Sequence, residues 1–181
     1  MPGPAEATVR VFYALVPPPP LQRALAELAR EIARRARGRP VPADNIHLTL
    51  AFIGPWPSVR LSLLLGVGEM LAGQPMRVTL DTQGGFRRAG VAWVGASSPP
   101  AALIDLASAL ARALAAAGVA LEERPFHAHL TLARHCRGPY AEGTIGPLGW
   151  DVDDVALMQS HTRAEGARYE RLARWPLRGA G

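Results

Sequence analysis

The run His-Leu-Thr-Leu-Ala occurs twice, as His47-Leu48-Thr49-Leu50-Ala51 and as His129-Leu130-Thr131-Leu132-Ala133, and no other feature restricts the fold as much. In an extended strand, side chains alternate between faces, so His47 and Thr49 point one way while Leu48 and Leu50 point the other. The leucines suit a core, which leaves an imidazole and a hydroxyl side by side on the opposite face. Leu and Ala are frequent in this chain, but histidine occurs only five times, and two of the five head the matching segments. Two such strands related by an approximate two-fold axis would line one cleft with two histidines and two threonines.

The rest of the chain supplies strands and helices around this pair. Thr8 to Val16, rich in β-branched and aromatic residues, predicts a first strand ended by Pro17 to Pro20. Leu21, Leu25, Leu28 and Ile32 then recur at helical spacing, predicting an amphipathic helix that ends near Gly38. Asn45 to Ile53 predicts a strand stopped by Gly54-Pro55-Trp56-Pro57, and Val59 to Leu71 a second helix. Met76 to Asp81 and Val91 to Gly95 read as short strands joined by a flexible segment from Gly84 to Gly90. Leu103, Leu106, Leu110 and Leu114 give the clearest helix, Pro100 to Ala117, with Gly118 as its stop. Phe126 to Ala133 is a strand, Gly138 to Gly149 a surface loop, and Val155 to Thr162 and Arg168 to Pro176 a hairpin whose loop runs from Arg163 to Ala167. Strands interleaved with three helices place the chain in the α+β or α/β class.

Length and composition set the outer limits. A chain of 181 residues with 49% hydrophobic content has enough apolar surface for a core in a single domain or two closely packed lobes. Its single cysteine, Cys136, excludes an intramolecular disulfide framework and fits a reducing compartment, so the expected location is the cytoplasm. Met1 to Thr8 is polar and predicts no secretory signal, and no apolar run reaches the ~20 residues that cross a bilayer, so no membrane partner is expected. The 20 basic residues are all arginine and outnumber 15 acidic ones to give +5, a balance that favours an anionic partner such as RNA.

The cleft chemistry that two histidines and two threonines suit is displacement at phosphorus with no metal or other cofactor. One imidazole takes a proton from water while the other gives one to the departing ribose oxygen, and an unperturbed pKa of ~6.5 allows one neutral and one charged ring near neutral pH. The hydroxyls of Thr49 and Thr131 can donate to the non-bridging phosphate oxygens. Arg134, immediately after the second segment, is placed to stabilise the developing charge.

These segments resemble the His-x-Thr-x motifs of the two-histidine phosphoesterase superfamily, and within it the RNA 2′,3′-cyclic phosphodiesterase family historically called 2′-5′ RNA ligases. Arg10 to Leu15 looks like the family's opening strand, Asn45 to Gly54 like its first motif, Phe126 to Arg134 like its second, and Ser160 with Tyr169 to Pro176 like its ending. The resemblance implies a bilobal α+β fold with a pseudo-two-fold pair of antiparallel-rich sheets, flanking helices and a central groove, one domain over residues 1–181 in two interleaved lobes. It implies hydrolysis of RNA 2′,3′-cyclic phosphate ends to a 2′-phosphate, with His47 and His129 catalytic and Thr49 and Thr131 holding the phosphate. Phe52 and Arg134 would then sandwich a nucleobase. The direction favoured is His47 as acid and His129 as base. Two positions depart from the family pattern: Ala128 stands where proline is common, and an arginine often found ahead of the Trp93 strand is absent.

Rival readings make different demands. His47, His127 and His129 could ligate zinc in principle, but no acidic or cysteine ligand stands at a suitable spacing, and the threonines would be unexplained. A non-catalytic RNA-end-binding module would not need both histidines and both threonines. Ligation to a 5′-hydroxyl is the reverse reaction, which water opposes, and a nucleoside 2′,3′-cyclic phosphate or another small cyclic nucleotide could serve as substrate with the same motifs. A groove built within one chain makes a monomer the expected state. His135 and His161 are expected to be surface or structural residues, Cys136 a semi-buried bystander, and Trp56, Trp93, Trp150 and Trp175 packing residues.

Overall fold

The structure, a computed structural model, describes residues 7–164 and 166–179. The segment Met1–Glu6, on which the expectation of no signal rests, and Glu165 in the predicted hairpin loop lie outside the described residues. The strands are β1 (Thr8–Leu15), β2 (Arg39–Pro40), β3 (Leu48–Pro57), β4 (Met76–Phe86), β5 (Val91–Gly95), β6 (His129–Arg134), β7 (Gly143–Val152), β8 (Asp154–Arg163) and β9 (Gly166–Pro176). The helices are α1 (Pro19–Arg35), α2 (Leu61–Met70) and α3 (Ala101–Ala116). The class is α+β.

Every strand pairing is antiparallel, in the order β7-β4-β5-β6-β3-β1-β8-β9, with β2 added beside β6. The order divides into two four-stranded halves joined by one residue pair, Leu48 with Leu130. Each half carries one copy of the repeat at the junction. The helices cross over: α1 packs on β6 and α3 on β3, so each half is covered by a helix from the other part of the chain. Leu48 and Leu130 are both 0% exposed, within a core that draws on both halves. Burying a leucine of this kind is worth about 1.5–3 kcal/mol, so the repeated leucines hold the junction together.

Several elements extend beyond their sequence signals. α1 begins at Pro19, because prolines fit a helix's first turn, where no N–H partner is required. β3 runs on through Gly54-Pro55-Trp56-Pro57: Gly54 adopts φ +81 and the ladder with β1 skips Ile53, so the turn chemistry is absorbed as a bulge. Among the described residues, no strand pairs with the other side of β3 beyond Leu48, and Pro55 and Pro57 leave no ladder bond unmade there.

β4 continues to Phe86 through the segment expected to be flexible. Gly84 lies under Trp93, whose ring would be 2.6 Å from an added Cβ, and Gly85 lies under the Tyr140 ring. Glycine here makes room for aromatic side chains laid across the strand. The expected loop from Gly138 to Gly149 contains most of β7, an edge strand on β4 that tolerates Pro147 where the ladder lapses between Thr144 and Leu148. α3 stops as expected, with Gly118 at φ +78 and Val119 N–H donating to Leu114 O over 2.9 Å. None of the helices among the described residues is long and apolar enough to cross a membrane.

Candidate active site

The junction pair fixes the site. Continuing its antiparallel register one residue each way sets His47 opposite Thr131 and Thr49 opposite His129. The two leucines point into the core, so the four polar residues lie together on the other face, around a local two-fold axis through the pair. His47, Thr49, His129 and Thr131 are all half-buried.

The repetition extends to bulges. In the β1–β3 ladder Ala14 pairs with Thr49 and Tyr13 with Ala51, skipping Leu50; in the β5–β6 ladder Trp93 pairs with Thr131 and Ala92 with Ala133, skipping Leu132. Each bulge turns two successive apolar residues towards the core: Leu50 and Ala51, and Leu132 and Ala133, are all buried. The residue three after each threonine therefore returns to the groove face. Those residues are Phe52, which pairs with Phe12 and is 41% exposed, and Arg134, which is exposed. The guanidinium of Arg10 lies 4.8 Å over the Phe52 ring.

The two imidazoles are held in the same way. His47 Nδ1 lies 2.7 Å from Asn45 O, and His129 Nδ1 lies 2.8 Å from His127 O. A carbonyl only accepts, so Nδ1 carries hydrogen in both rings and Nε2 is the atom that gains or loses a proton. His47 Nε2 lies 3.0 Å from Thr49 Oγ1, whose hydroxyl can donate to the neutral ring.

Aromatic walls complete each side. Phe12 (4.8 Å between centroids) and the edge-on Tyr169 (5.2 Å) flank His47, above a small apolar floor of Phe12, Ala14, Ala156 and Met158. Phe86 stands edge-on to His129 at 5.0 Å, with Trp93 at 6.2 Å. Burial pushes the His47 pKa down to about 4, with the positive charges of Arg134 and His129 adding to it and the Asn45 carbonyl opposing it. Burial also lowers that of His129, helped by His127, Arg134 and Arg124 and opposed by the His127 carbonyl. Burial thus favours the neutral form of both rings in the free protein, and Arg134 is near enough to act on each.

The chain matches the family model described as the 2′-5′ RNA ligase superfamily over residues 17–164. It is 35% identical over 172 residues to the RNA 2′,3′-cyclic phosphodiesterase of Escherichia coli (strain K12), covering 93% of this chain and 96% of that one. The protein of the same name from Thermus thermophilus is 30% identical over 181 residues, covering 94% and 91%. The chain belongs to the 2′-5′ RNA ligase superfamily. Among solved structures, E. coli LigT complexed with 3′-AMP superposes with a TM-score of 0.87 at 31% identity, covering 94% of this chain and 99% of that one. The Thermus thermophilus protein TT0787 gives a TM-score of 0.81 at 30% identity, covering 95% and 100%.

In this superfamily member the remaining candidates fall to either side of the groove. Trp93 packs against Phe86 and His127, as a packing residue should, yet its buried Nε1 finds no hydrogen-bond partner among the described residues. His161 bonds Glu170 at 2.8 Å, while Cys136 is buried and its thiol pushed up by that burial. His127 stands 5.2 Å from His129, but no three His, Cys, Asp or Glu side chains among the described residues are arranged to hold a metal. Sequence reasoning missed Phe12, Phe86 and Tyr169 as neighbours of the histidines. For Phe12 a signal existed, since it alternates with Arg10 and Ala14 on one face of β1; for Phe86 and Tyr169 only the ladder reveals the contact.

Proposed function

We propose that this chain hydrolyses RNA 2′,3′-cyclic phosphate ends to 2′-phosphates, with His47 and His129 as its acid–base pair. The observation that carries the reading is the duplicated imidazole: two rings with Nδ1 tied to the carbonyl two residues back, His47 Nε2 beside Thr49 Oγ1, and Arg134 near enough to act on both. Water attacks phosphorus as His129 Nε2 takes its proton, the bond from phosphorus to O3′ breaks, and His47 Nε2–H protonates O3′, leaving the phosphate on O2′. Thr49 and Thr131 donate to the non-bridging oxygens, and Arg134 stabilises the added charge. Because burial favours the neutral form of both rings in the free protein, the acid gains its proton with substrate, whose phosphate monoanion offsets the charge of Arg134. The terminal base stacks on Phe52 opposite Arg10 or against the Arg134 guanidinium.

The RNA-ended chain or a nucleoside 2′,3′-cyclic phosphate would be the substrate, and the cytoplasm, where a lone cysteine stays reduced, the place of action. Both motifs come from one chain and share one core, which supports a monomer acting as a single domain of two lobes. The test is EDTA-treated protein incubated with a short RNA bearing a 2′,3′-cyclic phosphate, its ends resolved by chromatography. Conversion to 2′-phosphate is expected. A 3′-phosphate product would overturn the choice of leaving oxygen, and bound but unreacted RNA would move the protein to the class of binding modules.

A further inference from the structure

At the carboxyl end of β6 an open cleft of about 380 Å³ is lined by Arg37, Gly38, Arg39, His135 and Arg137. No acidic side chain lines it, and none of its three arginines forms an ion pair among the described residues. Its two loops are clamped together: Arg137 N–H and Gly138 N–H both donate to Ala36 O, at 3.0 and 2.8 Å, and Cys136 N–H donates to Gly90 O at 2.9 Å. Gly38 has no space for a side chain, since a Cβ would be 2.6 Å from Cys136 Sγ and 2.8 Å from Arg134 O. Arg37 (φ 50) and His135 (φ 55) are the only non-glycine residues at positive φ among the described residues, and both line this cleft. The backbone thus holds like charges together on a rigid platform.

The cleft lies next to Arg134. Arg39 pairs with Arg134 in the β2–β6 ladder, and Arg134 acts on both imidazoles. From His129 to His135 the chain spans roughly 20 Å at ~3.3 Å per residue, so the far side of the cleft, at His135 and Arg137, stands away from the phosphate that reacts. It lies instead where a strand leaving the groove would pass. Exposed guanidiniums suit phosphodiester oxygens, offering paired donors to each phosphate.

We infer that this cleft is a second anion subsite, holding backbone phosphates of the RNA on the 5′ side of the cyclic end; the inference rests on the function proposed above. It predicts that an oligonucleotide is a better substrate than a mononucleotide, and that the difference is electrostatic. The test compares the wild type with the triple variant Arg37→Gln, Arg39→Gln, Arg137→Gln on adenosine 2′,3′-cyclic phosphate and on a pentaribonucleotide ending in a 2′,3′-cyclic phosphate. In parallel, binding of a fluorescent pentaribonucleotide with a 2′-phosphate end is followed against NaCl concentration. The variant should keep mononucleotide turnover, which also reports its folding, and lose on the order of tenfold in kcat/KM on the pentamer. The slope of log affinity against log salt should become shallower by roughly two, and the corresponding triple lysine variant should restore it. Equal losses on both substrates, or an unchanged salt slope, would overturn the subsite. Absence of turnover of both substrates by the wild type would instead overturn the function, while the binding arm would still report on the cleft.

Discussion

At the residue scale, the tie between Nδ1 and a carbonyl fixes which atom of each imidazole titrates, and burial sets when. The proposed mechanism needs one proton shared between the two rings, but burial pushes both pKa values down from the ordinary imidazole value of ~6.5 in the free protein. The singly protonated form is therefore depleted as pH rises through that range, and kcat/KM should fall on the basic side from below about 6.5. Substrate phosphate stabilises the charged ring, so the basic limb of kcat should lie at higher pH than that of kcat/KM. Profiles on adenosine 2′,3′-cyclic phosphate would check this, and coincident limbs would contradict it. Folding stability follows the same sign: a His47 pKa of about 4, below its unfolded value, favours the neutral folded ring, so its contribution is complete above pH 6.5 and is lost as pH falls towards 4. Urea unfolding of His47→Asn should show a weaker loss over that window. Phe52→Ala should raise KM for a cyclic mononucleotide by about tenfold, the value of one base–aromatic stack, with a smaller effect on kcat.

At the element scale, the site depends on irregularities in the strands. The Leu50 and Leu132 bulges return Phe52 and Arg134 to the groove, and Gly84 leaves room for the Trp93 ring, which packs tilted against Phe86 and edge-on to His127. Gly84→Ala should push that ring away, destabilising the fold by about 1–3 kcal/mol and lowering turnover through the wall around His129; chemical unfolding and kinetics together would measure it. The strands bearing the motifs and all three helices were legible in apolar periodicity and the repeat, whereas periodicity left α+β and α/β both open and the family resemblance implied α+β. β7 was not, since an edge strand tolerates the Gly and Pro that mark loops elsewhere. The bulges were hidden because strict alternation would send Phe52 and Arg134 to the face opposite Thr49 and Thr131. The only trace was Ala51 and Ala133, each making a second apolar residue in succession. Phe86 and Tyr169 became visible only with the ladders that bring them to the histidines.

At the scale of the whole molecule, one residue pair joins two four-stranded halves, each helix of α1 and α3 covers the other half's motif strand, and the proposed acid–base pair sits at that junction. The chain carries 20 arginines against 15 acidic residues, so on the proposed function RNA turnover at subsaturating concentration should fall with salt more steeply than turnover of a cyclic mononucleotide, by steady-state rates across a NaCl series. The central claim is that both copies of the motif act in one reaction. It is tested most directly by the turnover of adenosine 2′,3′-cyclic phosphate by purified wild type, His47→Ala and His129→Ala, with circular dichroism confirming the fold of each. Each variant should stay folded and lose on the order of 10²–10⁴ in kcat, the usual worth of one positioned acid or base. A near wild-type rate from either would contradict the two-histidine mechanism.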